Sequence, residues 1–146
     1  MKNKIRELLL QYDSILITAH KNPDGDAVGA GLALTLSLLE LGKKVRFVLQ
    51  DKIPDTTLFL EGSHLIEQYQ EEENFQNIEL VVFLDCATRD RAGCMNHLTE
   101  GKTTINIDHH MSNPHYGDYA FVEPNISATS EILTQLLREW NFPMNV

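Results

Sequence analysis

"SILITAHKNPDGDAVGAGLALTLSLLELGKKVRFVL", Ser14–Leu49, decides the fold in one stretch. Its first residues, Ser14–Ala19, are an apolar, β-rich run of buried-strand type. The segment "DAVGAGLALTLSLLELG" carries apolar residues all round and reads as a helix buried against a sheet, with Asp26 placed to cap its start and Gly42 to end it. Within it, Gly29 and Gly31 permit close backbone approach. "KVRFVL", Lys44–Leu49, is the next strand. Strand, loop, helix, strand implies a parallel crossover, right-handed by the general rule.

Working outward, "IRELLLQY" at Ile5–Tyr12 reads as a short helix with a leucine face. Downstream, "IPDTTLFLEG" is a turn-rich connection with a short helix near Thr57–Leu60. "IELVVFLD", Ile78–Asp85, is an almost unbroken apolar strand ending in an aspartate. "TTINIDHH", Thr103–His110, is another, ending in acid and histidine. "YAFVEP" reads as a short edge strand stopped by Pro124, and Ser127–Trp140 as an amphipathic helix. The glutamate run Glu71–Glu73 reads as a solvated loop or helix face. The fold class is therefore α/β, a mostly parallel open sheet flanked by helices, with ligands expected beyond the carboxyl ends of the strands.

The totals set bounds. A chain of 146 residues is enough for one domain with an ordinary core. A formal net charge of −9 supplies no diffuse field for a long polyanion, so long duplex nucleic acid is not an expected partner. A small anion at a cationic site stays allowed. The cysteines, Cys86 and Cys94, form no CxxC pair, which fits a reducing cytoplasm. The N-terminal run has no secretory pattern, and the longest apolar stretch, near Ala27–Leu41, is too short to span a bilayer. No membrane is expected as a partner, and the sequence carries no signal for oligomeric state.

The expected strand ends are where the chemistry gathers. His20 ends the first strand, Asp24 and Asp26 follow in its loop, Asp85 ends the third, and Asp108, His109 and His110 end the fourth. Alone, each has a simpler reading: a polar strand end, a turn built from Asn, Pro, Asp and Gly, a helix cap, an exposed corner. Together they put carboxylates and imidazoles at one sheet edge. Burying unpaired charge there costs several kcal/mol per ion, on the order given by desolvation, unless cations offset it. A metal pair does so.

"HKNPDGDAVGAG", "VVFLDCA" and "INIDHH" together resemble the first three motifs of the DHH phosphoesterase family, in order and spacing, over Ile15–Trp140. "RAG" at Arg91–Gly93 and "SNPHYGDYAFVEPNISATSEI" are similar to the branch that degrades very short RNA and removes the 3′-phosphate of adenosine 3′,5′-bisphosphate. The resemblance implies that His20 and Asp24 ligate one metal ion, that Asp26 and His109 ligate a second, and that Asp85 bridges the two. It leaves His110 to contact the scissile phosphate and Asp108 to orient the histidines. Mixed carboxylate and imidazole ligation suits Mn²⁺ better than Zn²⁺ or Mg²⁺. The implied reaction is hydrolysis by two-metal water activation.

One departure bears on this. The family's fourth motif, a further aspartate, and its second, substrate-gripping domain have no counterpart before the chain stops at "NFPMNV". Residues 1–146 are therefore expected to be a catalytic domain incomplete at its C-terminal side. Rival readings are a cyclic-dinucleotide phosphodiesterase or single-strand exonuclease of the same family, or a nucleotide-binding module without turnover.

Overall fold

The computed structural model describes residues 1–71 and 73–144. Glu72 of the glutamate run and the last two residues of "NFPMNV" lie outside them.

The chain runs α1 (Lys2–Gln11), β1 (Ser14–Thr18), α2 (Gly25–Glu40), β2 (Lys44–Leu49), β3 (Ile66–Gln68), β4 (Leu80–Leu84), α3 (Met95–Leu98), β5 (Thr103–Asp108), β6 (Tyr119–Val122) and α4 (Thr129–Glu139). Its strands form one six-stranded sheet in the order β3-β2-β1-β4-β5-β6, every neighbouring pair parallel. The strand order reverses direction between β1 and β4, and the crevice at such a switch point is where open α/β sheets bind ligands.

Alternation along the strands builds the core. Ile15, Ile17, Leu80, Val82, Leu84, Ile105 and Ile107 face α1, α2 and α4, while Leu16, Val48, Val81 and Phe83 face a smaller cluster with Phe75 and Met95. β5 departs from the all-apolar pattern. Its second face carries Thr104, Asn106 and Asp108, all buried, so each needs a partner inside the protein. Asp118 takes hydrogen bonds from the backbone N–H and hydroxyl of Thr104, and Asn106 donates to Tyr116.

Several expectations change. The connection after β2 holds no helix at Thr57–Leu60; it has 3₁₀ turns at Asp55–Thr57 and Ser63–Leu65, and then the unexpected edge strand β3. Three residues carry too little periodicity to be read as a strand, and β3 exists because β2 offers it a free edge. The cap of α2 is Asp24, not Asp26: the Asp24 carboxylate accepts the Ala27 N–H at 3.0 Å. Gly42 does end that helix, with φ of +81°. Glu73 is not simply solvated, since Arg46 donates to both Glu73 and Glu67. Among the described residues, no helix is long and apolar enough to cross a membrane.

Candidate metal centre

Three strand-end segments, those of β1, β4 and β5, meet at the carboxyl edge of the sheet, joined there by the start of α4. His20 follows β1, and its ring Nδ1 sits 2.6 Å from the Lys21 carbonyl. As the donor of that bond, Nδ1 leaves Nε2 facing Asp24 Oδ1 at 3.6 Å and Asp85 Oδ2 at 3.5 Å. The hydrogen bond with Asp85 raises the His20 imidazole to about 9, against the opposing effect of burial. Without a metal ion, the ring thus holds a proton between two carboxylates at neutral pH.

Asp85 is the hinge of the arrangement. It directly follows β4, its side chain is 2% exposed, and its φ of +52° lies in the left-handed region. That conformation is costly for a residue with a β-carbon and survives where the surroundings hold it. Here the Asp85 N–H donates to the Ile107 carbonyl, and Asp85 Oδ1 accepts from the Thr129 hydroxyl at 3.1 Å. While Oδ2 faces His20, Oδ1 lies 3.5 Å from His109 Nε2.

His109 Nε2 is also 3.7 Å from Asp26 Oδ2. Asp26 is occupied from the other side: its two oxygens accept the N–H groups of Thr129 and Ser130 at 2.9 and 2.7 Å. Burial pushes the Asp26 carboxyl up, but these donors and His109 outweigh it and leave it below the usual range. His110 turns its Nδ1 to Asp108 Oδ1 at 2.7 Å. Asp108 is fully buried, and its other oxygen accepts from Asn113 at 2.8 Å, which in turn bonds Asn106. Asp108 therefore orients one histidine, His110, and no bond from it to His109 is present among the described residues.

All seven residues singled out in the sequence meet at this edge. Two groups have donor atoms within 4.8 Å of one another: His20, Asp24 and Asp85, and Asp85, His109 and His110. They share Asp85. Oxygen and imidazole donors grouped around a buried carboxylate fit divalent cations. Thr129, Ser130 and Asn113 lie in the stretch that resembles the family branch, but the sequence assigns them no site role; a Thr-Ser pair at a helix start reads as ordinary capping, and only the placement of α4 aims it at Asp85 and Asp26. A surface concavity of about 760 Å³ is lined by Arg89, Lys102, Thr104 and Asp118 among others, and none of the seven borders it.

Comparison with known proteins bears on this geometry. Residues 14–145 match the family model described as the DHH family, N-terminal domain. The chain belongs to the DHH family. A curated DHH relative from Thermus thermophilus, the bifunctional oligoribonuclease and PAP phosphatase NrnA, is 35% identical over 124 residues, covering 84% of this chain and 36% of the relative. The probable bifunctional oligoribonuclease and PAP phosphatase NrnA of Streptococcus mutans is 30% identical over 129 residues, covering 84% of this chain and 38% of that protein. The chain thus spans well under half the length of both relatives. A crystal structure of an exopolyphosphatase-related protein from Bacteroides fragilis superposes with a TM-score of 0.88 at 26% identity, covering 95% of this chain and 43% of the other. The parallel α/β sheet is thus the DHH architecture.

Proposed function

We propose that this DHH domain is the metal-binding catalytic part of a cytoplasmic phosphoesterase that hydrolyses short oligoribonucleotides and the 3′-phosphate of adenosine 3′,5′-bisphosphate. The observation that carries the reading is Asp85: buried, in left-handed backbone, with one oxygen toward His20 and the other toward His109. A lone structural carboxylate has no need of imidazoles on both sides. The substrate class is supported by the relatives, whose names state oligoribonuclease and PAP phosphatase.

In this reading His20 and Asp24 would hold one ion and Asp26 and His109 the other, with Asp85, between the two histidines, serving both. Mn²⁺ suits the mixed donors. When bound, the ions supply Lewis-acid polarisation of the phosphoryl group and acidify a water toward neutral pH. The chain's own residues orient and balance charge. The Lys21 carbonyl fixes the tautomer of His20, so that Nε2 points into the site. Asp108 accepts from Nδ1 of His110 and fixes the orientation of that ring, leaving Nε2 free to face the phosphate.

The test is calorimetric titration of the metal-free chain with Mn²⁺ beside an Asp85→Asn variant, followed by phosphate release from adenosine 3′,5′-bisphosphate. The expected result is close to two ions per chain, with binding lost in the variant. A folded chain that takes up no Mn²⁺ would sink the proposal.

A further inference from the structure

We infer that Thr129 is a positioning residue of this centre: its hydroxyl holds Asp85, while its backbone N–H, with that of Ser130, holds Asp26. The inference rests on the metal reading above and deepens it.

Thr129 opens α4 and is fully buried. The Thr129 hydroxyl donates to Asp85 Oδ1, the same oxygen that faces His109 Nε2. A carboxylate turns easily about its terminal torsion, because that rotation has a broad energy well. With one lone pair of Oδ1 committed to Thr129, the remaining directions of the two oxygens are set, one toward each histidine.

The same residue reaches Asp26 through the main chain. Ala128, the N-cap of α4, has no side chain able to cap the helix, which leaves orphan N–H groups at its start. Asp26 supplies the missing acceptors from α2. One helix start therefore fixes carboxylates from two other parts of the chain, 44 and 103 residues away. Outer partners of this kind are typically worth about 10–100-fold in metal affinity.

A purely structural threonine would also be buried and hydrogen-bonded, so the test must read metal affinity apart from folding. Thr129→Ser and Thr129→Ala differ by the hydroxyl alone, and Thr129→Val keeps the volume while removing it. Each is titrated with Mn²⁺ by calorimetry and melted in a chelator. We expect the serine variant to bind within about threefold of the parent, and the alanine and valine variants to bind at least about tenfold more weakly. Their metal-free melts should remain cooperative.

Three results would overturn the role: alanine and valine variants that bind like the parent; a serine variant as weak as the alanine; or alanine and valine variants unfolded in chelator while serine is folded. A parent that binds no Mn²⁺ would overturn the metal reading itself, and the parent trace alone distinguishes that failure.

Discussion

Gly31 lies so close to the Phe47 ring that a β-carbon added there would overlap it. Phe47 is 1% exposed and lies in the packed core, so Gly31→Ala forces a shift there. Overpacking of this kind costs about 1–3 kcal/mol, and we expect a melting temperature lower by roughly 3–10 °C. Gly29 makes the opposite prediction. A β-carbon there would meet Ser130 Cβ at an ordinary 3.9 Å, and alanine is the better helix former. Gly29→Ala should melt at or above the parent. Equal losses at both positions, read by circular dichroism, would contradict this packing. Of Gly29 and Gly31, only Gly31 is required by its neighbour, which is a ring rather than backbone.

At the scale of elements, the two aspartates of "NPDGD" cap different helices. Asp24 caps its own helix α2, and Asp26 caps α4 across the fold. Losing a cap costs about 1 kcal/mol, and up to roughly 2 where more than one donor is orphaned. With chelator present, Asp24→Ala should therefore destabilise modestly and Asp26→Ala more; an Asp26→Ala melt identical to the parent's would refute capping in trans. A second element-level device joins β2 to β3 and the following loop, where Arg46 pairs with Glu67 and Glu73. The Gln70 N–H first, and Arg46 after it, hold the Glu73 carboxyl below its ordinary 4.5. A lowered acid contributes fully above its unfolded value and loses the contribution as pH falls through the folded one. Glu73→Gln should cost about 0.5–1 kcal/mol at neutral pH. The gap should close as the pH drops well below 4.5, and a gap that persists in acid would discard the ion pair as its source.

For the whole molecule, the proposed site would couple metal binding to folding, because its residues come from α2 and from the segments that follow β1, β4 and β5. Free Mn²⁺ at a hundred times its dissociation constant adds about 2.7 kcal/mol. For a chain of this size that is a rise of roughly 5–10 °C in melting temperature, reversed by EDTA. An unchanged melting temperature in saturating Mn²⁺ would exclude a site that binds only the folded state. The measurement needs no turnover, which suits a chain that covers 36–38% of the Thermus thermophilus and Streptococcus mutans relatives.

The sequence by itself determined the α/β class, the parallel order of strands around α2, and the residues His20, Asp24, Asp26, Asp85, Asp108, His109 and His110 as one cluster. These were legible because apolar runs and strand-end polar residues are local patterns, and a parallel sheet sends every strand end to the same edge. Only the tertiary structure decided that Asp26 caps α4 rather than α2, that Asp108 bonds His110 while Asn113 holds its other oxygen, that Asp85 occupies left-handed backbone, and that Ile66–Gln68 is a strand. The Asp26 cap and the hold on Asp85 depend on groups far apart in the chain, brought together by the packing of α2 against α4 and the pairing of β5 with β4. Periodicity and capping rules report on neighbours within a turn or two; partners 103 residues away are chosen by packing.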